Sequence, residues 1–417
     1  MAGLTEADVA LLLRLIDLPT AGPLEGPGPV WLWAAQTAYA EAAHGFDVVH
    51  HAPAEPSELD LPSVPEAVRD AARDPDFLAA QPNLVLRLGP ADAPTVMFNV
   101  HLDTVAGHEP ASCDGAVVRG RGAVDAKGPA VALLAGIRDA VAREPRLGRE
   151  VSVLVQAVAG EEGGAMGTFG TRPLIARGFY GALNIFCEPT GLRYLARATA
   201  SATARVRVAG SGAVDDRPGD GHNATVLLGY LAQHLATELA GGQACIAGLH
   251  TGTRHNRVYG QGDLLVNLAY AGADEGAALT AALDRAIAGG VERFGSAFAG
   301  VPELARTAAD AARLTTVDWL KRGLPALAGG GPWLGGLMAT AGVPAWPTAE
   351  PAFTCDAIWM SEVPGTATAV LGPGDLAANN AHAEGEFVAL ADLAAFADQV
   401  SRVLRAFTAT PTRTAPG

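Results

Sequence analysis

Glu161 and Glu162 stand side by side in AVAGEEGGAMG, residues 157–167, directly after REVSVLVQ, a run that reads as a buried strand. Two carboxylates ~5 Å apart repel by roughly 3 kcal/mol at an effective dielectric of ~20. On a solvated loop that repulsion is screened and carries no meaning. In a cleft it must be relieved by a cation, or by a proton held on one of the two groups.

Other residues of the same chemistry recur along the chain. His101 and Asp103 leave the end of a strand in NVHLDTV, two apart and therefore on the same side. One imidazole nitrogen could bind a metal while a carboxylate orients the ring, although an HxD pair alone is weak. Asp125 stands in GRGAVDAKGPA, at a glycine-rich entry to a helix, where a simple N-cap is the bland alternative. Glu188 follows a strand in FCEPTG, and His382 lies in NNAHAEGEF after the turn-like LGPGD. A lone loop histidine is ordinary. Two imidazoles and several carboxylates, mostly at strand ends of one sheet, instead describe a divalent site suited to zinc, cobalt or manganese.

The elements that must position these residues can be read from periodicity. NLVLRLG, TVMFNVH, VSVLVQAV and GALNIFCE read as strands, and GPAVALLAGIRDAVARE as the helix between the second and third. Strand–helix alternation predicts a layered α/β domain with a mixed, centrally parallel sheet, whose chemistry gathers beyond the strand C-termini. From residue 198 the pattern changes to strand, helix, strand, strand, helix, to be completed by one more strand, which predicts a smaller α+β sandwich with helices on one face of an antiparallel sheet. The first pattern resumes at about 311 and ends in VALADLAAFADQVSRVLRAF. The expected layout is a catalytic α/β domain over 1–197 and 311–417, interrupted by an α+β domain over 198–310. The tail TATPTRTAPG reads as disordered.

Composition narrows the partners. The formal net charge of -15 argues against nucleic acid, whose phosphates require a basic face. The four cysteines are dispersed with no CxxC pair, which disfavours a thiolate zinc site or a disulfide framework and fits a reducing cytoplasm. MAGLTEADVALLLRLIDLPT lacks a basic n-region and reads as an amphipathic helix capped at Thr5, not a signal peptide. No run of sufficient apolar length suggests a membrane span. The expectation is a cytoplasmic protein acting on a small molecule.

The order HLD, GRGxxDAKG, GEEGG, EPTG and a late AH resembles the M20 family of metallohydrolases, which includes deacetylases, desuccinylases, aminoacylases and carboxypeptidases. The likeness runs over almost the whole chain. It implies a di-metal site in which Asp125 bridges two cations, His101 and Glu188 complete one, and Glu162 and His382 complete the other. It also implies that Asp103 orients His101 and that Glu161 is the general acid/base rather than a ligand. Under that assignment the doubled glutamate is one ligand and one base. The inserted domain would serve as a lid and as a homodimer interface. PGDGHNATVLL there resembles the lid motif whose histidine stabilises an oxyanion, here His222, and HNRVYG resembles the family's Asn-x-Ile-Pro segment, making Asn256 a substrate contact.

The likeness is broken on the substrate side. LLVNLAY stands where the family carries Asp-x-Arg, so the usual carboxylate-organising arginine is missing; Tyr259 replaces the proline, and TCDA (354–357) is a remnant of Gly-Gly-Thr-Asp-Ala. Arg254 or Arg257 could substitute as a bidentate partner for a carboxylate. The leading expectation is a metal-dependent amidohydrolase acting on an N-acyl amino acid or related amine. A dipeptidase or carboxypeptidase is the alternative, and a catalytically silent binding protein is disfavoured by retention of Glu161. A phosphate-binding or nucleotide-binding reading has little support, because GEEGGAMG lacks the Lys-Ser/Thr of a phosphate-cradling loop.

Overall fold

The computed structural model describes residues 3–410, which divide into two compact units, 3–198 with 327–410, and 199–326. The first unit is built on a six-stranded sheet in the order Asp47–Ala52, Asn83–Leu88, Ser152–Val158, Thr95–His101, Leu183–Phe186, Ala367–Val370. The last four run parallel, and the first two are antiparallel additions at one edge. All seven residues of Ser152–Val158 are buried, as expected of a strand covered on both faces. The strand Asp47–Ala52 was not expected. It is an exposed edge strand with a bulge between Val48 and His50, so no hydrophobic alternation announces it.

Strand Thr95–His101 lies between Ser152–Val158, which is next in sequence, and Leu183–Phe186, which comes later. The chain therefore leaves this central strand to one side and returns on the other. Such a switch point opens a crevice at the strand C-termini. The helix connecting the first pair, Lys127–Arg143, is buried along most of its length and packs against Leu390–Ala409 and Glu6–Asp17. The first helix is capped at Thr5 as expected, through a capping box with Asp8.

The second unit is a four-stranded antiparallel sheet ordered Ala244–His250, Gln261–Tyr270, Ala200–Ala209, Thr315–Lys321. Burial alternates along Ala200–Ala209 and Gln261–Tyr270, and the helices Ala224–Glu238, Ala273–Phe298 and Ala305–Leu314 pack on the sheet. The chain returns to the first unit at Leu327 and not near 311, because Thr315–Lys321 supplies the fourth strand of this sheet. The expected disordered tail falls mainly on residues 411–417, outside the described ones, while Thr408 and Ala409 belong to the last turn of Leu390–Ala409. Among the described residues no helix is long and apolar enough to cross a membrane.

Candidate functional site

The crevice at the switch point is lined by the loops that leave the parallel strands. His101 ends one strand, level in register with Val158 on the next, so Gly160, Glu161 and Glu162 emerge beside it. Cys187 donates its N–H to the Asn99 carbonyl, which places Glu188 on the other flank. Gly160 has a left-handed backbone (φ 74°), and a Cβ there would collide with the ring of Phe169. This geometry explains why glycine precedes the glutamate pair.

Asp125 is the centre of the arrangement. It lies in the turn before Lys127–Arg143, directly before a cis peptide bond to Ala126. Its Oδ1 is 2.9 Å from His101 Nε2, and its Oδ2 is 3.0 Å from His382 Nε2. Glu188 Oε2 lies 3.9 Å from His101 Nε2, and Glu162 Oε1 lies 3.0 Å from His382 Nε2. His382 is half-exposed and has a left-handed backbone (φ 63°), uncommon for a residue with a side chain. The structure thus brings together all five residues expected as ligands, with Glu161 alongside.

Asp103 sits differently from the expectation. The Nδ1 of His101 is 2.9 Å from the main-chain oxygen of Asp103, whereas the Asp103 carboxylate is 3.7 Å away. That carboxylate instead accepts the N–H groups of Gly160 at 3.0 Å and Glu162 at 3.1 Å. A strand that ends in His-Leu-Asp bends immediately, so the backbone carbonyl, not the side chain, comes level with the imidazole. Asp103 therefore shapes the turn carrying the glutamate pair.

The electrostatics reflect crowding. Burial pushes the Glu161 carboxyl well above its usual range, with further upward pushes from Glu188 and Glu162. Burial likewise raises Glu188 to about 8, although His101 opposes this. Burial would raise Asp125 too, but its hydrogen bonds with His101 and His382 prevail and hold it well below the carboxylate range. His382 is raised to about 10 by its contacts with Asp125 and Glu162. Protons alone accommodate this cluster poorly.

A divalent cation fits better. His101, Asp125 and Glu188 offer ligand atoms within 4.8 Å of one another, as do Asp125, Glu162 and His382. Glu162 Oε1 is buried with no donor aligned on it, because the one nearby N–H, His382 Nε2 at 3.0 Å, is shared with Asp125 Oδ2. Mixed imidazole and carboxylate donors suit zinc, cobalt or manganese.

Three groups that support the site were not assigned from sequence. Asp356, within the recognised TCDA remnant, is fully buried, accepts a short hydrogen bond from Thr171 Oγ1 and is pushed up to about 7, chiefly by burial. Asn83 pins both ends of the glutamate loop, accepting from Ala159 N–H at 3.0 Å and donating to the Phe169 carbonyl at 2.8 Å. Glu386 is buried beneath Asp125. Asp356 had a signal in that remnant and Glu386 one as an acid four residues after His382, while Asn83 had none.

The remaining expected residues belong to the second unit. His222 is buried; its Nδ1 accepts the Ser211 N–H at 3.0 Å, and its Nε2 faces Asp310 at 3.0 Å. Since Nδ1 accepts, the ring proton is on Nε2 and donates to Asp310. Arg254, Asn256 and Arg257 lie exposed between strand Ala244–His250 and strand Gln261–Tyr270.

A family model described as "Peptidase family M20/M25/M40" matches residues 97–406. Over 109 residues the chain is 40% identical to a proposed LysW-lysine/LysW-ornithine hydrolase of Aeropyrum pernix, a match covering 26% of this chain and only 29% of that relative. Among solved structures it is similar to aminopeptidase PepT from Bacillus cereus, with a TM-score of 0.68 at 16% identity over 97% of this chain and 99% of the other. It is also similar to an M20 family metallo-carboxypeptidase from Sulfolobus solfataricus, with a TM-score of 0.67 at 11% identity over 96% and 99% of the two chains. The chain belongs to the M20/M25/M40 peptidase family and is a metallohydrolase acting on amide or peptide bonds.

Proposed function

We propose that this family member removes the acyl group from an N-acyl amino acid or related small N-acyl amine by hydrolysis at a two-cation centre, zinc being the favoured metal. The observation that carries the reading is Asp125, which turns one carboxylate oxygen to each of two imidazoles while Glu188 and Glu162 flank it. Asp125 would bridge, His101 and Glu188 would hold one cation, and Glu162 and His382 the other. Bound there, the two cations would acidify a water and polarise the scissile carbonyl.

Glu161 is assigned to proton transfer, although its carboxylate also comes within 4.8 Å of ligand atoms of His101 and Glu162. Its carboxyl is raised above the ordinary carboxylate range by burial and by Glu188 and Glu162, a direction that favours proton uptake from the attacking water. In the proposed cycle Glu161 accepts the attacking water's proton and delivers it to the leaving nitrogen. Asp103 keeps it in place by holding the N–H groups of Gly160 and Glu162. His222 would donate from Nε2 to the developing oxyanion, which requires it to leave Asp310. Arg254, Asn256 and Arg257 would receive the substrate's polar end. We assign a homodimer joined through the inserted unit.

The short match to hydrolases named for lysine and ornithine conjugates supports the acyl-amine reading. The test is product release from N-acyl amino acids and from unblocked dipeptides, with zinc or cobalt supplied. Turnover confined to the acyl panel is expected. Turnover confined to dipeptides would replace the proposal with a peptidase.

A further inference from the structure

Glu386 lies in a place the reaction does not use, yet it touches both sides of the candidate centre. It is 1% exposed, and its carboxylate is fully engaged. Oε1 accepts the N–H groups of Val124 at 2.9 Å and of Asp125 itself at 3.2 Å; Oε2 accepts the N–H of Gly122 at 3.1 Å and Arg121 Nη1 at 2.8 Å. Three turn amides thus converge on one anion, and they belong to the turn that presents Asp125.

The same ion pair reaches the loop of His382. Arg121 Nη2 donates to the Ala383 carbonyl at 3.0 Å, and its Nε donates to the Gly107 carbonyl at 3.1 Å. Ala383 directly succeeds His382, whose left-handed backbone needs such an anchor. The Gly120 N–H donates to the Glu386 carbonyl at 3.0 Å, closing the link. Asp125 and His382 are 257 residues apart in sequence, and nothing local sets their separation.

We propose that Glu386, acting with Arg121, is the positioning residue that sets the spacing of Asp125 and His382 and thereby retains the cation held by Asp125, Glu162 and His382. The inference rests on reading those three residues as ligands. Glu386 touches no reacting atom. Its effect falls chiefly on that cation because the ion pair bears on two of its ligands, Asp125 and His382. The other cation shares only Asp125 and keeps His101 and Glu188, carried by strand ends that the ion pair does not touch. Replacing the carboxylate with an amide removes one acceptor and points an N–H₂ group at a donor. Outer partners of metal ligands typically change affinity by ~10–100-fold.

The test is equilibrium zinc binding by the chelator-stripped full chain, with circular dichroism and thermal midpoint measured in parallel. Wild type should bind two equivalents. Glu386→Gln should weaken one by ~10–100-fold and the other, which shares only Asp125, by a clearly smaller factor. His382→Ala should weaken the same equivalent, and Glu386→Gln added to His382→Ala should weaken it little further. Arg121→Lys keeps the charge but loses the planar fork, and it should weaken that equivalent by a smaller factor; it carries the test if Glu386→Gln does not fold. Two unaltered equivalents in the folded variants, or equal weakening of both, would overturn the inference alone. A wild-type chain that binds fewer than two would overturn the site reading and the inference with it.

Discussion

Asp103 illustrates how much a side chain's role depends on where the backbone bends. Its type and its spacing from His101 are plain in the sequence, but the bend after Leu102 sends the carboxylate to the Gly160 and Glu162 amides. Asp103→Ala leaves two buried N–H groups without acceptors, a loss of ~1–3 kcal/mol in stability. Because the partner of His101 Nδ1 is a main-chain oxygen, this variant should keep zinc binding through His101 while kcat falls at least ~10-fold. Denaturant midpoints and zinc titration check both parts; an unchanged kcat would refute the role given to Asp103. The five expected ligands were legible because each has a metal-ligating side chain, three of them (His101, Glu162 and Glu188) beside strand ends. Asn83, Asp356 and Glu386 were not, because they serve backbone amides or hydroxyls far away in sequence. The hydrogen bond from Val124 to Glu386 spans 262 residues.

At the level of elements, the site is held by helices that approach closely. Gly136 sits where Lys127–Arg143 meets Leu390–Ala409, and a Cβ on it would fall 2.7 Å from the Cβ of Val400 and 2.5 Å from the Ala397 oxygen. Gly136→Val should therefore lower stability by ~1–3 kcal/mol, measured as a fall in denaturant midpoint. A midpoint at or above wild type would show that the two helices can separate freely. The first helix is tied to the same bundle by Asp8, which receives Arg138 at 3.0 and 2.7 Å. Burial raises the Asp8 carboxyl, but Arg138 and the Thr5 donors prevail, so its pKa lies below the ordinary value. A depressed folded pKa means that the stabilisation is present above about pH 4 and is lost as pH falls through the lower folded value. Asp8→Asn should lower stability at pH 7 by on the order of 1 kcal/mol, given the half-exposed Arg138. That gap should close as pH is lowered beneath about 4; a pH-independent gap would contradict the pairing. Long periodic elements were readable from sequence. The edge strand Asp47–Ala52 was not, since exposure and a bulge remove its pattern. The return to the first unit was misplaced because Thr315–Lys321 reads equally well as a strand of either sheet.

For the whole molecule, the chain separates a unit that carries every candidate metal ligand from one that carries the candidate oxyanion donor and substrate contacts. Cations bound only by the folded state stabilise it by mass action. Chelator treatment should therefore lower the thermal midpoint as well as abolish turnover, and zinc or cobalt should restore both. A midpoint indifferent to chelation would speak against occupancy of the cluster. The central claim is that two adjacent glutamates divide the work, Glu162 on a cation and Glu161 on a proton. The most direct test compares wild type with Glu161→Gln for zinc stoichiometry and for turnover of the best N-acyl substrate. Two equivalents are expected in both proteins, with a loss of turnover of ~100-fold or more in the variant. Turnover that survives Glu161→Gln with its zinc intact would contradict it.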